Sequence, residues 1–131
     1  MTTDKAYREF IQTLPSCLSS TFSEYLEDGR KLCVAAHVRR AGESGTAFKA
    51  PYSVVPMTQT EHLYQHQHGE LACLVKFTRD PQLKTTLLNA SPVEAERIAS
   101  EWFDAQVVKY REMWRIRTGS APWEKTEFLN G

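Results

Sequence analysis

His62 and His66 stand four residues apart, just after Thr58-Gln59-Thr60-Glu61, a stretch with the form of a helix capping box. On a helix that begins at Gln59 the two imidazoles share one face, one turn apart. That is the spacing at which two ring nitrogens grip a divalent ion from one side, although many such pairs simply face solvent. His68, two residues past His66, points elsewhere. His37 ends a short apolar stretch, where a histidine is either a packed, hydrogen-bonded residue or a base of near-neutral pKa. Between His37 and the pair lie Arg39, Arg40 and Lys49. Cations for a phosphate, a metal for developing charge and a base for water are together what hydrolysis of a phosphodiester requires.

The elements that must position these groups follow from apolar spacing and punctuation. Ala6, Tyr7, Phe10, Ile11 and Leu14 have helical spacing over Asp4–Leu14, and Pro15 ends the run. Phe22, Tyr25 and Leu26 suit one short helix before the Glu27-Asp28-Gly29 turn. Lys31–Val38 reads as a buried strand, Arg39–Pro51 as an exposed loop and Tyr52–Met57 as a second strand. A helix from Gln59 has a natural stop at Gly69, and Leu71–Phe77 is either a strand or more helix. Asp80-Pro81 is a break. Ser91-Pro92-Val93-Glu94 starts a long helix to about Arg117, with acidic residues first and basic residues last, as the helix dipole favours. Its predicted apolar side is Ala95, Ile98, Trp102, Ala105, Val108 and Trp114. Residues 120–131 read as a loose tail, pinned by Trp123 or Phe128.

The order of these features resembles the HNH, or ββα-metal, endonuclease superfamily, and is most similar to its small phage and prophage branch associated with recombination. The stretches that carry the likeness are Leu14-Pro15-Ser16-Cys17, Val34-Ala35-Ala36-His37-Val38-Arg39-Arg40, Gly45-Thr46-Ala47-Phe48-Lys49 and Val55-Pro56-Met57 through Gln65-His66-Gln67-His68-Gly69-Glu70. They span roughly residues 7–75. The resemblance implies an α+β fold with a ββα-metal core at about 31–70; together with the N-terminal helix and the long C-terminal helix at about 92–117 read from apolar spacing, which lies outside the likeness, one domain over residues 1–119 is expected.

It further implies a metal-dependent endonuclease or nickase that hydrolyses DNA. His37 would be the general base, and His62 and His66 would bind a catalytic magnesium, manganese or zinc ion. Arg39, Arg40 and Lys49 would hold backbone phosphates, giving affinity without sequence choice. The alternative is an HNH-fold protein that has lost catalysis and acts by binding DNA or a host protein. Ala36 stands where relatives often carry a further metal ligand, and Met57-Thr58-Gln59 replaces a cysteine-containing step.

Composition bounds the rest. The chain has 131 residues, with 16 basic and 16 acidic side chains and no formal net charge, which excludes a globally basic, histone-like binder. The charge is sorted, however. Residues 30–49 hold Arg30, Lys31, Arg39, Arg40 and Lys49 against Glu43 alone, a surplus of four. Cys17, Cys33 and Cys73 lack Cys-x-x-Cys spacing, so three buried free thiols in a reducing compartment are expected, with neither a disulfide scaffold nor a structural zinc. With a polar start and no bilayer-length apolar run, the expected location is the cytoplasm of a bacterial or phage-infected cell. Trp102, Phe103, Tyr110, Met113 and Trp114 make the long helix a candidate face for a protein partner or a homodimer, or else simply its packing side.

Overall fold

Tyr7 and Ile11, one helical turn apart, are both fully buried, and they seat the first helix, α1 (Asp4–Gln12), against a small sheet. This is seen in a computed structural model of the chain, which describes residues 4–23, 32–38 and 51–124. The sheet is an antiparallel pair, β1 (Val34–His37) and β2 (Val54–Met57), with Val34 opposite Met57 and His37 opposite Val54. Helices α2 (Gln59–Phe77), α3 (Pro81–Asn89) and α4 (Pro92–Thr118) follow. The fold is therefore mixed α+β and mostly helical.

Helix α1 ends two residues before the predicted Leu14. Leu14 precedes Pro15, whose ring pushes the residue before it out of the helical region. The backbone closes instead with amides of Thr13 and Leu14 donating to the carbonyls of Phe10 and Ile11, both at 3.1 Å. The strands are shorter than the stretches that predict them. Helices α1, α2 and α4 all touch β2, so its four residues are all buried rather than alternately so. The predicted short helix around Phe22, Tyr25 and Leu26 is not seen at Phe22, which is exposed and non-helical; Tyr25 and Leu26 lie outside the described residues.

Helix α2 corrects the predicted stop at Gly69. Gly69 does leave helical geometry, at φ 91° and ψ 172°, but the helix resumes and runs to Phe77, so Leu71–Phe77 is helix and not strand. The Asp80-Pro81 break separates α2 from α3, and it is also where α3 starts. The Asp80 carboxyl accepts from the amides of Gln82 and Leu83, and Pro81 takes the first turn, where its missing N–H costs nothing. Helix α4 begins at Ser91, whose hydroxyl accepts from the Glu94 amide, and ends at Gly119 in the left-handed region at φ 74°.

The buried stripe of α4 is Ala95, Ala99, Phe103, Val107, Tyr110 and Trp114. It is rotated from the predicted side: Ala105 and Val108 face solvent, while Ile98 and Trp102 are half-buried. Phe103, Tyr110 and Trp114, considered above for a partner face, point into the core, and Met113 is exposed. One hydrophobic cluster joins residues from Tyr7 to Trp123. At its α1 end, the Tyr7 ring meets Tyr52 and Trp114 at 5.5 Å and Trp123 at 5.9 Å. Trp123 thus anchors the start of the C-terminal segment; Phe128 lies outside the described residues. Tyr52 takes the left-handed conformation, φ 60°, just before β2. Its amide donates to the Asp4 carboxyl at 3.1 Å and its carbonyl accepts from Arg111 Nε at 2.8 Å, so two helices hold it. Among the described residues, no helix is long and apolar enough to cross a membrane.

Candidate metal-binding site

The helix that carries the paired histidines is held at its first turn by Glu61. The capping box forms as the sequence predicts: the Thr58 hydroxyl accepts from the Glu61 amide at 3.1 Å, and the Glu61 carboxyl accepts from the Thr58 amide at 2.9 Å. Sequence reasoning missed what else Glu61 does. Its carboxyl is buried and accepts from the hydroxyls of Ser16 at 2.6 Å and Ser19 at 2.5 Å. The Ser23 hydroxyl accepts from the Gln59 amide at 3.0 Å. The segment after α1 therefore clamps the start of α2. A capping box signals only its local bonds, and nothing in the spacing of Ser16 and Ser19 marks the tertiary ones.

Next to this clamp, His62 and His66 converge. Their Nε2 atoms lie 3.0 Å apart, and the rings are 4.5 Å apart at 76°. His62 is half-buried and His66 exposed. With metal–nitrogen bonds of about 2.1 Å, a 3.0 Å separation of the nitrogens subtends roughly 90° at a shared ion, the angle between neighbouring ligands of an octahedron. The donor pair thus fits a divalent ion, with its remaining positions left to other ligands.

The other predicted residues fall elsewhere. His68 packs on the Tyr64 ring at 4.3 Å, with Lys76 Nζ 5.2 Å from the same ring, so it belongs to a different side of α2. His37 is half-buried at the end of β1, opposite Val54, on the sheet that α2 packs against. Among the described residues, no group of three His, Cys, Asp or Glu side chains is arranged to hold a metal, so His37 does not join the pair as a third ligand. Arg39, Arg40 and Lys49 lie outside the described residues.

All three cysteines are free. The Cys33 thiol donates to the Thr21 carbonyl at 3.5 Å and the Cys73 thiol to the Glu61 carbonyl at 3.4 Å. Burial, reinforced by the nearby Glu61 carboxyl, pushes the Cys33 thiol up to about 11 and the Cys73 thiol up to about 12, and raises Cys17 as well. Metal-binding and nucleophilic cysteines are held as thiolates; these environments favour the neutral thiol.

Fold and site together define a mostly helical α+β protein with two imidazoles in contact at the start of its second helix. No family model, no curated protein and no solved structure matches the chain.

Proposed function

We propose that this chain is a metal-dependent endonuclease or nickase of the ββα-metal type that hydrolyses DNA phosphodiester bonds, of phage or prophage origin and acting in the cytoplasm. The observation that carries the reading is the 3.0 Å approach of His62 and His66 on the helix that directly follows an antiparallel strand pair whose first strand ends in His37. That is the ββα order, with a metal-competent pair on its helix.

In this reading His62 and His66 would hold a magnesium, manganese or zinc ion. The bound ion supplies positive charge for the scissile phosphate and for the departing 3′ oxygen. His37 takes a proton from water, whose oxygen bonds to phosphorus as the bond to the 3′ oxygen breaks; histidine suits this role at neutral pH. Arg39, Arg40 and Lys49 hold flanking phosphates. The Glu61 clamp keeps the first turn of α2, and hence His62, in register with the sheet.

Supercoiled plasmid incubated with magnesium or manganese tests the proposal. The expected result is open-circle product. His66→Ala is expected to abolish it together with metal binding. His37→Ala is expected to lower it about 100-fold or more, within the usual range for a lost general base, while metal binding persists. Cleavage that His37→Ala leaves unchanged would sink the mechanism.

A second reading, a catalytically inert protein on the same scaffold that binds DNA or a host protein, draws on the two-donor grip and on Ala36 being buried beside His37. DNA or partner binding that persists in EDTA and in His62→Ala, without nicking, would favour it.

A further inference from the structure

We propose that the cleft where α2, α3 and α4 meet binds a nucleotide, with the base stacked on the ring of His68 and the phosphate held by Lys76 and Lys84. The cleft is separate from the metal site. Two residues along a helix turn a side chain through roughly 200°, so Tyr64 and His68 lie on the flank of α2 away from His62 and His66. The inference therefore does not rest on the nuclease reading.

The first observation is the cleft itself. Its volume is about 620 Å³, within the range of about 300–1,000 Å³ in which small-molecule sites fall. Tertiary packing builds it: Leu71 and Val75 come from α2, Lys84 from α3 and Glu96 from α4. Leu71 and Val75, one turn apart, are half-buried and give it apolar lining. Gly69 lines it too, at the point where α2 leaves helical geometry. A Cβ added there would meet nothing within 4 Å, so bare backbone faces open space on that side.

The second observation is a supported aromatic surface. The Tyr64 and His68 rings stack with centroids 4.3 Å apart and planes at 39°. Tyr64 is half-buried and braced by the edge of Phe77 at 5.4 Å, while His68 is exposed. The outer ring thus rests on one that is fixed from behind. A base stacked on such a ring gains about 1–3 kcal/mol.

The charges around the rings select the ligand class. Lys76 and Lys84 are exposed and line the cleft, with Lys76 Nζ 5.2 Å from the centre of the Tyr64 ring. Glu70 and Glu96 line it as well. An inorganic anion would gain the two ammonium groups but meet two carboxylates. A wholly apolar molecule would cover four charged groups without pairing any of them. A nucleotide uses both signs. Its phosphate accepts from the lysines, and the exocyclic amine of an adenine or cytosine donates to a carboxylate. A free nucleotide and a nucleotide within a single strand share this chemistry.

Isothermal titration calorimetry in EDTA tests the proposal. The probes are adenosine 5′-monophosphate, adenosine, inorganic phosphate and a single-stranded hexamer of deoxyadenosine. The monophosphate is expected to bind one per chain, about tenfold or more tighter than adenosine or phosphate. His68→Ala and Lys84→Glu change exposed side chains, and each is expected to weaken it about tenfold with the melting temperature unchanged. His66→Ala is expected to leave it unaltered. A hexamer that binds tighter than the monophosphate assigns the cleft to a strand, and one that binds more weakly assigns it to a free nucleotide. Failure of both nucleotide probes to bind would overturn the proposal. So would phosphate binding as tightly as the monophosphate, or an affinity that His68→Ala and Lys84→Glu both leave intact. Nicking by a chain that binds no nucleotide in EDTA overturns the cleft alone, and nucleotide binding without nicking overturns the nuclease reading alone.

Discussion

Ser16 and Glu61, 45 positions apart in the chain, meet in the interior, where the Ser16 hydroxyl donates to Glu61 Oε1 at 2.6 Å. The same serine oxygen accepts from the amides of Leu18 and Ser19, at 3.0 and 3.2 Å, so one hydroxyl closes its own turn and ties that turn to α2. Glu61 in turn gathers Ser16, Ser19 and the Thr58 amide. A residue that would cap an isolated helix has become the point where the segment after α1, the end of β2 and the start of the histidine helix are joined.

Glu61→Ala is accordingly expected to cost about 3 kcal/mol or more, because two buried donors, the Ser16 hydroxyl and the Thr58 amide, and the part-buried Ser19 hydroxyl lose this acceptor at once. Ser16→Ala is expected to cost about 1–2 kcal/mol. Chemical denaturation of both single variants and the double variant should show strong coupling between the two positions. Additive losses would mean that the contact carries no energy of its own.

Gly69 is expected to tolerate no side chain without cost. Its φ of 91° and ψ of 172° lie in a region that only glycine occupies readily. A Cβ there would meet nothing within 4 Å, so the penalty is torsional rather than steric. Gly69→Ala should lose about 1–3 kcal/mol in a denaturation experiment. Gly69→Asn should not rescue it, since asparagine tolerates the left-handed helical region and not this one. An alanine variant as stable as the parent would show that α2 is not kinked in solution.

Tyr7 is expected to accept phenylalanine. Its hydroxyl is buried with no hydrogen-bond partner, and burial raises its pKa. Removing an unsatisfied buried hydroxyl should be neutral or should stabilise by up to about 1 kcal/mol. Tyr7→Ala, by contrast, forfeits ring contacts with Phe10, Tyr52, Trp114 and Trp123 and should cost about 3–5 kcal/mol. Thermal melts of the two variants, moving in opposite directions or with tyrosine-to-phenylalanine flat, are the check.

Alkaline pH should unfold the protein through its cysteines. The folded-state pKa values are raised, to about 11 for Cys33 and about 12 for Cys73, from an ordinary value of 9.0. Above pH 9 the unfolded chain loses thiol protons that the folded chain keeps, so stability falls as pH rises towards 11–12 and is fully present below 9. The loss is about 1.4 kcal/mol per thiol for each pH unit in that window. Melting temperatures measured from pH 8 to pH 10.5 should drop, and Cys73→Ala should flatten the slope. A melting temperature constant over that range would contradict the burial of these thiols.

Much of the local architecture was legible because it depends on neighbours in the chain. Thr58 and Glu61 announce a helix start through bonds three residues long, and Ser91-Pro92 does the same for α4. The four-residue spacing of His62 and His66 commits them to one face of whatever helix carries them, and their convergence at 3.0 Å follows from that geometry. Asp80-Pro81 does mark a break, between α2 and α3, but the sequence does not announce the helix that starts there, because aspartate followed by proline carries the same local signal whether a loop or a new helix follows. The buried side of α4 was offset because Val108 and Ala105 are apolar, yet hydrophobicity alone does not say which flank of a wide stripe meets the core. Phe103 and Tyr110 are buried there instead.

What the sequence determined by itself is therefore the starts of α1, α2 and α4, the neutral chain with its sorted charge, and the histidine pair. These are set by capping bonds, proline geometry and helical periodicity, all of which act within a few residues. Tertiary structure alone decided that Glu61 is buried and bonded by Ser16 and Ser19, and that Gly69 bends α2 rather than ending it. Each depends on which distant segments pack together, and close packing selects one such arrangement from many that satisfy the same local rules.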